Sequence, residues 1–155
     1  MKLLTYEELL TIADNDGLIV KEKLLRGNNG RIKGNKIAIK KDILTVEKKC
    51  TLAEEMGHYY TTTGNILNQK DTKNRKQELF ARLWAYNNQI GLVGLIDCYN
   101  HGCTSHHEMA EYLDVSESFL REALECYKSK YGLCTKVDNY IIYFEPYLGV
   151  IELFD

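Results

Sequence analysis

The sequence lacks the features that would direct it to a membrane, to a nucleic acid or to secretion. No apolar run among its 155 residues approaches the roughly 18 residues needed to cross a bilayer. Its 20 basic and 22 acidic residues nearly cancel, so a net charge of −2 gives no broad attraction to nucleic acid or anionic lipid. The N-terminus acquires Glu7 and Glu8 too early for a secretory signal. These absences predict a soluble, cytoplasmic protein.

A disulfide framework is also missing. The five cysteines, at positions 50, 98, 103, 126 and 134, are odd in number and scattered, which favours reduced thiols. The sequence has no internal repeat and no low-complexity segment. Its length suits one domain with room for a small appended subdomain, and 45% hydrophobic with 27% charged residues is typical of a globular protein.

What is present predicts an α+β fold. In the first 41 residues, a helix over 5–15 precedes two strands, in "GLIVKEKLL" and "KIAIKK", and the Gly- and Asn-rich "RGNNGRIKGNK" between them is turn material. We therefore expect a helix plus a small antiparallel sheet. Two long helices follow, over about 43–62 and 75–89, with a polar loop between them.

The rest of the chain predicts shorter elements. Helices are expected at 91–100, 105–113 and 117–130, and "NYIIYFEPYLGVIELFD" predicts a terminal β-hairpin or a pair of strands. We divide the chain into residues 1–100, with the sheet and the two long helices, and a helical and β extension, 101–155, packed with the first part as one unit.

The stretch "CTLAEEMGHYYTTTGN" lacks the first histidine of H-E-x-x-H, the zinc-protease pattern. A helix turns about 100° per residue. With Glu54 at 0°, Glu55 lies near 100° and His58 near 40°, so all three side chains can face one site. Glu54 and His58 occupy the two ligand positions and Glu55 that of the general base. A carboxylate oxygen binds zinc at about 2.0–2.2 Å, much as an imidazole nitrogen does.

A simpler interpretation is a solvated pair of glutamates beside a hydrogen-bonded core histidine. Gly57 weighs against it, because glycine costs about 1 kcal/mol against alanine inside a helix. Its presence next to His58 indicates that another element packs closely there.

Motifs along most of the chain resemble the ImmA/IrrE-type metallopeptidases, and the phage and mobile-element branch in particular. They are "KIAIKKDIL", "TLAEEMGHYYTT", "GHYYTTTGNIL", "RKQELFARLWAYN" and "YIIYFEP". The resemblance implies a small sheet on a zincin-like helical core. It also implies Glu55 as general base and Glu54, His58 and Glu78 as metal ligands, with glutamate where the family usually has its first histidine.

This ligand set has consequences for the metal and for the reaction. Two carboxylates neutralise a dication more than one does, so we expect zinc, with manganese possible, and slower hydrolysis than with H-E-x-x-H. The resemblance implies a protein substrate, a helix-turn-helix repressor of a phage or mobile element. The alternative is an inactive relative that binds the repressor without cutting it.

Two further patterns receive other interpretations. "DCYNHGCTSHH" is dense in Cys and His, but its spacing matches no standard zinc knuckle, so we expect a helix junction. "SHHEMAEYLDVSESFLREALECY" resembles a helix-turn-helix. Its second helix presents Glu117, Glu122 and Glu125 against Arg121 and Lys128, an acidic face that argues against DNA contact.

Overall fold

The computed structural model describes residues 3–62 and 71–154, and it confirms the α+β prediction. Six helices and six strands lie in these two stretches. They form two compact units: the N-terminal unit, residues 4–88, and the C-terminal unit, from Gln89 onward. None of the helices in the described stretches is long and apolar enough to cross a membrane.

The N-terminal unit begins with helix α1, Tyr6–Asn15. The hydroxyl of Thr5 caps it by accepting a hydrogen bond from the Glu8 amide at 3.1 Å. Three strands follow, β1 (Ile19–Lys23), β2 (Gly30–Lys33) and β3 (Lys36–Lys40). Two buried isoleucines of β3, Ile37 and Ile39, lie on the inner face of this sheet, which packs against the helices.

The first sheet has the order β1-β3-β2 and is mixed, not purely antiparallel as expected. β1 pairs parallel to β3, with Ile19 opposite Lys36, whereas β2 pairs antiparallel, with Lys33 opposite Lys36. β2 lies within the stretch predicted as a turn, because its glycine and arginine give no strand signal. The chain turns on both sides of β2: Gly27 takes φ +88° before it, and Gly34 takes φ +61° in the two-residue turn that joins β2 to β3.

Two long helices complete the N-terminal unit, as predicted. α2 spans Thr45–Thr61 and α3 spans Asp71–Gln89. The predicted polar loop between them lies largely outside the described residues, and α3 begins about four residues earlier than expected. The buried face of α2 carries Leu52, Ala53 and Met56, none of which is exposed to solvent.

The C-terminal unit begins with α4 (Gly91–His101), α5 (His106–Leu113) and α6 (Glu117–Tyr131). α5 and α6 form the predicted helix-turn-helix-like pair. Ser105 caps α5, accepting from the Glu108 amide at 3.1 Å, and Ser116 caps α6, accepting from the Phe119 amide at 3.2 Å. The turn between them contains Asp114 in the left-handed conformation, at φ +54°.

The C-terminal end is a three-stranded antiparallel sheet in the order β4-β5-β6. Its strands are β4 (Cys134–Val137), β5 (Tyr140–Tyr143) and β6 (Gly149–Glu152). The last two correspond to the predicted terminal pair. β4 was not predicted, since "CTKV" is short and has a single strongly apolar residue.

Candidate functional site

Helices α2 and α3 touch at a glycine. A Cβ atom built on Gly57 would lie 2.2 Å from the carbonyl oxygen of Ala81, so no larger residue fits without separating the helices. This contact confirms the close packing that Gly57 predicted. Because glycine brings the two backbones together here, the side chains flanking the contact on each helix also come within reach of one another.

One pair at this crossing consists of His58 on α2 and Glu78 on α3. Nε2 of His58 lies 3.4 Å from Oε2 of Glu78. The other carboxylate oxygen of Glu78, Oε1, accepts a hydrogen bond from Nε of Arg82 at 2.9 Å, one helical turn further along α3. Both groups of the His58–Glu78 pair are partly exposed, at 25% and 45% of the side chain, so the pair opens to solvent.

Glu55, also on α2, is the candidate general base. Burial, together with the nearby negative charges of Glu54 and Glu78, raises its pKa from 4.5 to about 7. A carboxyl group with this pKa exchanges protons near neutral pH, as a general base must. The shift also shows that Glu54, Glu55 and Glu78 share one electrostatic environment.

Strand β2 lies directly over Glu55. A Cβ built on Gly30 would lie 2.4 Å from Cγ2 of Thr51, 3.1 Å from Oε1 of Glu55 and 3.2 Å from its Cγ. Glycine at the start of β2 therefore allows the sheet to approach this carboxylate. β2 is also an edge strand of its sheet.

Replacing Gly30 by alanine is expected to destabilise the protein by about 1–2 kcal/mol, since the added methyl group overlaps Cγ2 of Thr51. Thr51→Ser removes that methyl group. The double variant should therefore regain most of the lost stability, as measured by urea unfolding of all four proteins. If Thr51→Ser gives no recovery, the close approach of β2 to α2 at this point is incorrect.

The two tyrosines after His58 have different surroundings. The hydroxyl of Tyr60 donates a hydrogen bond to Oδ2 of Asp16, and its ring packs 4.9 Å from that of Trp84. Tyr60 is therefore held by α1 and α3. Tyr59 and Tyr60 are exposed to the same extent, 38% and 37%, and the ring of Tyr59 contacts that of Tyr60 edge-on at 5.3 Å.

These side chains fit part of a metal site. Two ligands at about 2.1 Å from a tetrahedral ion lie about 3.4 Å apart, and the His58–Glu78 distance is 3.4 Å. Across residues 3–62 and 71–154, no three His, Cys, Asp or Glu side chains converge as a complete ligand set. Glu54 lies one turn before His58, with Cβ atoms about 5–6 Å apart.

Sequence reasoning did not identify two residues of this site. Arg82 is one turn from Glu78, so the i,i+4 spacing of "ELFAR" could have indicated the ion pair. Gly30 gave no such signal, because its role depends on how β2 packs on α2. The ligand set Glu54, His58 and Glu78 and the base Glu55 remain predictions.

The Cys- and His-rich stretch forms the expected helix junction, between the end of α4 at His101 and the start of α5 at His106. In the described part of "DCYNHGCTSHH" no three potential ligands converge, and His107 instead contacts Glu111 at 3.1 Å and Glu117 at 2.9 Å. These two carboxylates raise the pKa of His107, and the largest cause is the hydrogen bond that the His107 ring donates to Glu117. Arg121 lies 3.5 Å from Glu117 on α6.

Comparison with known proteins identifies the family of the chain. Residues 11–125 match the peptidase M78 family, described as the IrrE N-terminal-like domain. The matched segment includes α2, α3 and the helix-turn-helix-like pair up to the middle of α6. No curated protein matches the chain. Since the match covers well over half of the sequence, the chain belongs to the IrrE N-terminal-like family of metallopeptidase-type proteins.

Proposed function

We propose that the chain is a metal-dependent endopeptidase of the cytoplasm that cleaves a protein substrate. The observation that carries this proposal is the His58–Glu78 pair, 3.4 Å apart beside Glu55 at the α2–α3 crossing. The resemblance to the phage and mobile-element branch suggests the substrate, a helix-turn-helix repressor whose cleavage would release gene expression.

Glu54, His58 and Glu78 would hold the metal. One imidazole and two carboxylates suit zinc, and an oxygen-rich set also accepts manganese. When bound, the ion would polarise the scissile carbonyl and make water more acidic. Arg82 would keep one oxygen of Glu78 engaged at 2.9 Å and leave Oε2, on the His58 side, for the ion.

Glu55 would carry the proton in the reaction. Its carboxylate would accept a proton from the attacking water and later donate it to the departing amine nitrogen. Burial supports this role in the metal-free protein, because it raises the pKa of Glu55 to about 7 and lets both proton states occur near neutral pH. Gly30 would let the edge strand β2, and a substrate strand paired with it, approach Glu55 closely.

The edge of β2 would hold the substrate. β3 pairs with one side of β2, and in the part of the chain that the structure describes no strand pairs with its other side. An extended peptide can add to such an edge through backbone hydrogen bonds. Because β2 begins at Gly30, beside Glu55, a peptide bound there would place its carbonyl groups near the base.

The first test is metal content. Protein prepared without chelator or His-tag should contain near-stoichiometric zinc or manganese by mass spectrometry, and His58→Ala should lose most of it, because one of three ligands is gone. His107→Ala is the matched control, since that imidazole lies on α5, outside the proposed ligand set, and it should keep the wild-type content. Absence of metal from wild-type protein, even after zinc and manganese are added back, would contradict the metal-dependent proposal.

A second candidate is the inactive relative that binds a repressor. The Arg82–Glu78 ion pair favours it, since a guanidinium group already compensates the charge of Glu78 without any metal. Binding of a neighbouring helix-turn-helix repressor would then persist in EDTA, and no cleavage products would appear with metal present. Cleavage that stops in EDTA and returns with zinc or manganese would favour the peptidase.

A further inference from the structure

The C-terminal end of α4 brings two cysteines together. The Cys103 amide donates to the Cys98 carbonyl at 3.0 Å, and the Gly102 amide donates to the Tyr99 carbonyl at 3.0 Å. With Gly102 in the left-handed conformation, at φ +88°, this is a Schellman motif. Such a motif commonly places the side chains of its two outer residues in contact. Here both outer residues are cysteines.

The geometry is compatible with a disulfide. Standard backbone bond lengths and the 3.0 Å hydrogen bond keep the two Cα atoms within about 7 Å, the limit for bridging without backbone movement. Cys103 also lies close enough to Cys98 to act on its thiol electrostatically. The backbone of this motif therefore holds the two cysteines within the range that a disulfide spans.

The two thiols differ in accessibility. Both line a cavity of about 430 Å³ in the C-terminal unit, together with His106, Met109 and Phe144. Cys98 is 1% exposed, whereas Cys103 is partly exposed. Burial, with Cys103 next to it, raises the pKa of Cys98 to about 12, so Cys98 remains protonated at neutral pH. An oxidant entering from solvent therefore meets Cys103 first.

We propose that Cys98 and Cys103 are a redox modification site, at which a hydroperoxide converts the two thiols into a reversible intramolecular disulfide. Hydrogen peroxide oxidises the Cys103 sulfur to sulfenic acid and is reduced to water. The Cys98 sulfur then attacks the Cys103 sulfur, and hydroxide leaves and takes the Cys98 proton as a second water. A dithiol reductant restores both thiols. The bond would tie the end of α4 to the segment that precedes α5.

Thiol counting tests this proposal. Full-length protein treated with hydrogen peroxide, then denatured and alkylated with iodoacetamide, should show a loss of two of its five alkylatable thiols. The unalkylated protein should be 2 Da lighter, and peptide mapping should find Cys98 joined to Cys103. Dithiothreitol should restore all five thiols.

Two variants make the test specific. Cys103→Ser should keep Cys98 alkylatable after peroxide treatment, whereas Cys134→Ser, which removes an exposed cysteine on β4, should still lose two thiols. The proposal is overturned if wild-type protein keeps five alkylatable thiols. It is also overturned if the bond joins other cysteines, or if Cys103 proceeds to sulfinic acid while Cys98 stays free.

Discussion

Replacing Glu55 by glutamine is expected to reduce peptide hydrolysis by about 10³-fold while making the metal-free protein more stable above neutral pH. The first effect follows from the proposed role, because a general base contributes about 10²–10⁴-fold to a rate. Glutamine has nearly the shape of glutamate and cannot accept the proton. It leaves the three proposed metal ligands in place, so metal content should stay near wild type.

The stability effect has a definite sign. The pKa of Glu55 is about 7 in the folded protein against 4.5 ordinarily, so the folded state favours the protonated group. The stabilising contribution of Glu55 is therefore complete below pH 4.5 and is lost as the pH rises through 7. The difference between a pKa of 4.5 and one of about 7 corresponds to roughly 3 kcal/mol. Glu55→Gln stays neutral at every pH and should not lose this contribution.

Urea unfolding in EDTA at pH 5 and pH 8 measures this difference. We expect Glu55→Gln to be near wild type at pH 5 and more stable by roughly 3 kcal/mol at pH 8. Glu47→Gln, in the first turn of the same helix, is the matched control. It should lose about 0.3–1 kcal/mol at pH 8, because Glu47 lies near the positive end of the helix dipole.

Two results would contradict these expectations. Undiminished cleavage by Glu55→Gln would exclude Glu55 as the base, whatever the stability data show. Equal stability of Glu55→Gln and wild type at pH 8 would mean that water reaches the Glu55 carboxylate more freely than its position under β2 indicates. The two measurements are independent, so the catalytic role and the burial of Glu55 can fail separately.

Much of the N-terminal unit was predictable because local signals and packing agree. The apolar periodicity of α1 reflects a face that is buried in the structure. α3 buries Ala81 and Ala85 but leaves Leu79 and Phe80 51% and 55% exposed, so its apolar pattern corresponds only in part to a buried face. The i,i+4 spacing of Glu54 and His58 fixes both on one side of α2. The close packing at Gly57 was also predictable, since an interior helical glycine needs a reason. Its partner, the carbonyl of Ala81, was not, because no sequence pattern indicates where α3 crosses α2.

The features that escaped prediction depend on pairing between distant segments. β2 is four residues long and contains glycine, arginine and lysine, so only its ladder with β3 identifies it as a strand. The parallel pairing of β1 with β3 likewise depends on the path of the chain around β2 and not on strand composition. The position of the edge strand beside Glu55 follows from both pairings, which is why the proposed substrate-binding edge could not be located from the sequence.

Replacing Gly57 by alanine is expected to destabilise the N-terminal unit by about 2–3 kcal/mol, although alanine is the better helix former by about 1 kcal/mol. The new methyl group would lie 2.2 Å from the Ala81 carbonyl oxygen, where a normal contact needs more than 3 Å. Since the obstacle is backbone, α2 and α3 must separate. That separation would also lengthen the 3.4 Å distance between His58 and Glu78 and weaken any shared metal.

Urea unfolding and thermal melting measure this loss, with an expected fall in Tm of roughly 5–10 °C. Gly149→Ala is the matched control, because a Cβ there meets nothing within 4 Å and the residue has no positive φ. It should stay within about 0.5 kcal/mol of wild type.

A second substitution distinguishes a backbone contact from a side-chain contact. Ala81→Gly removes the Ala81 methyl group but leaves its carbonyl oxygen in place, so it should not rescue Gly57→Ala, and the two losses should add within about 0.5 kcal/mol. The opposite holds for Gly30→Ala, where the obstacle is a threonine methyl group that Thr51→Ser removes. Rescue by Ala81→Gly would show that the helices are held apart by side chains. Glycine at position 57 would then no longer explain how His58 reaches Glu78.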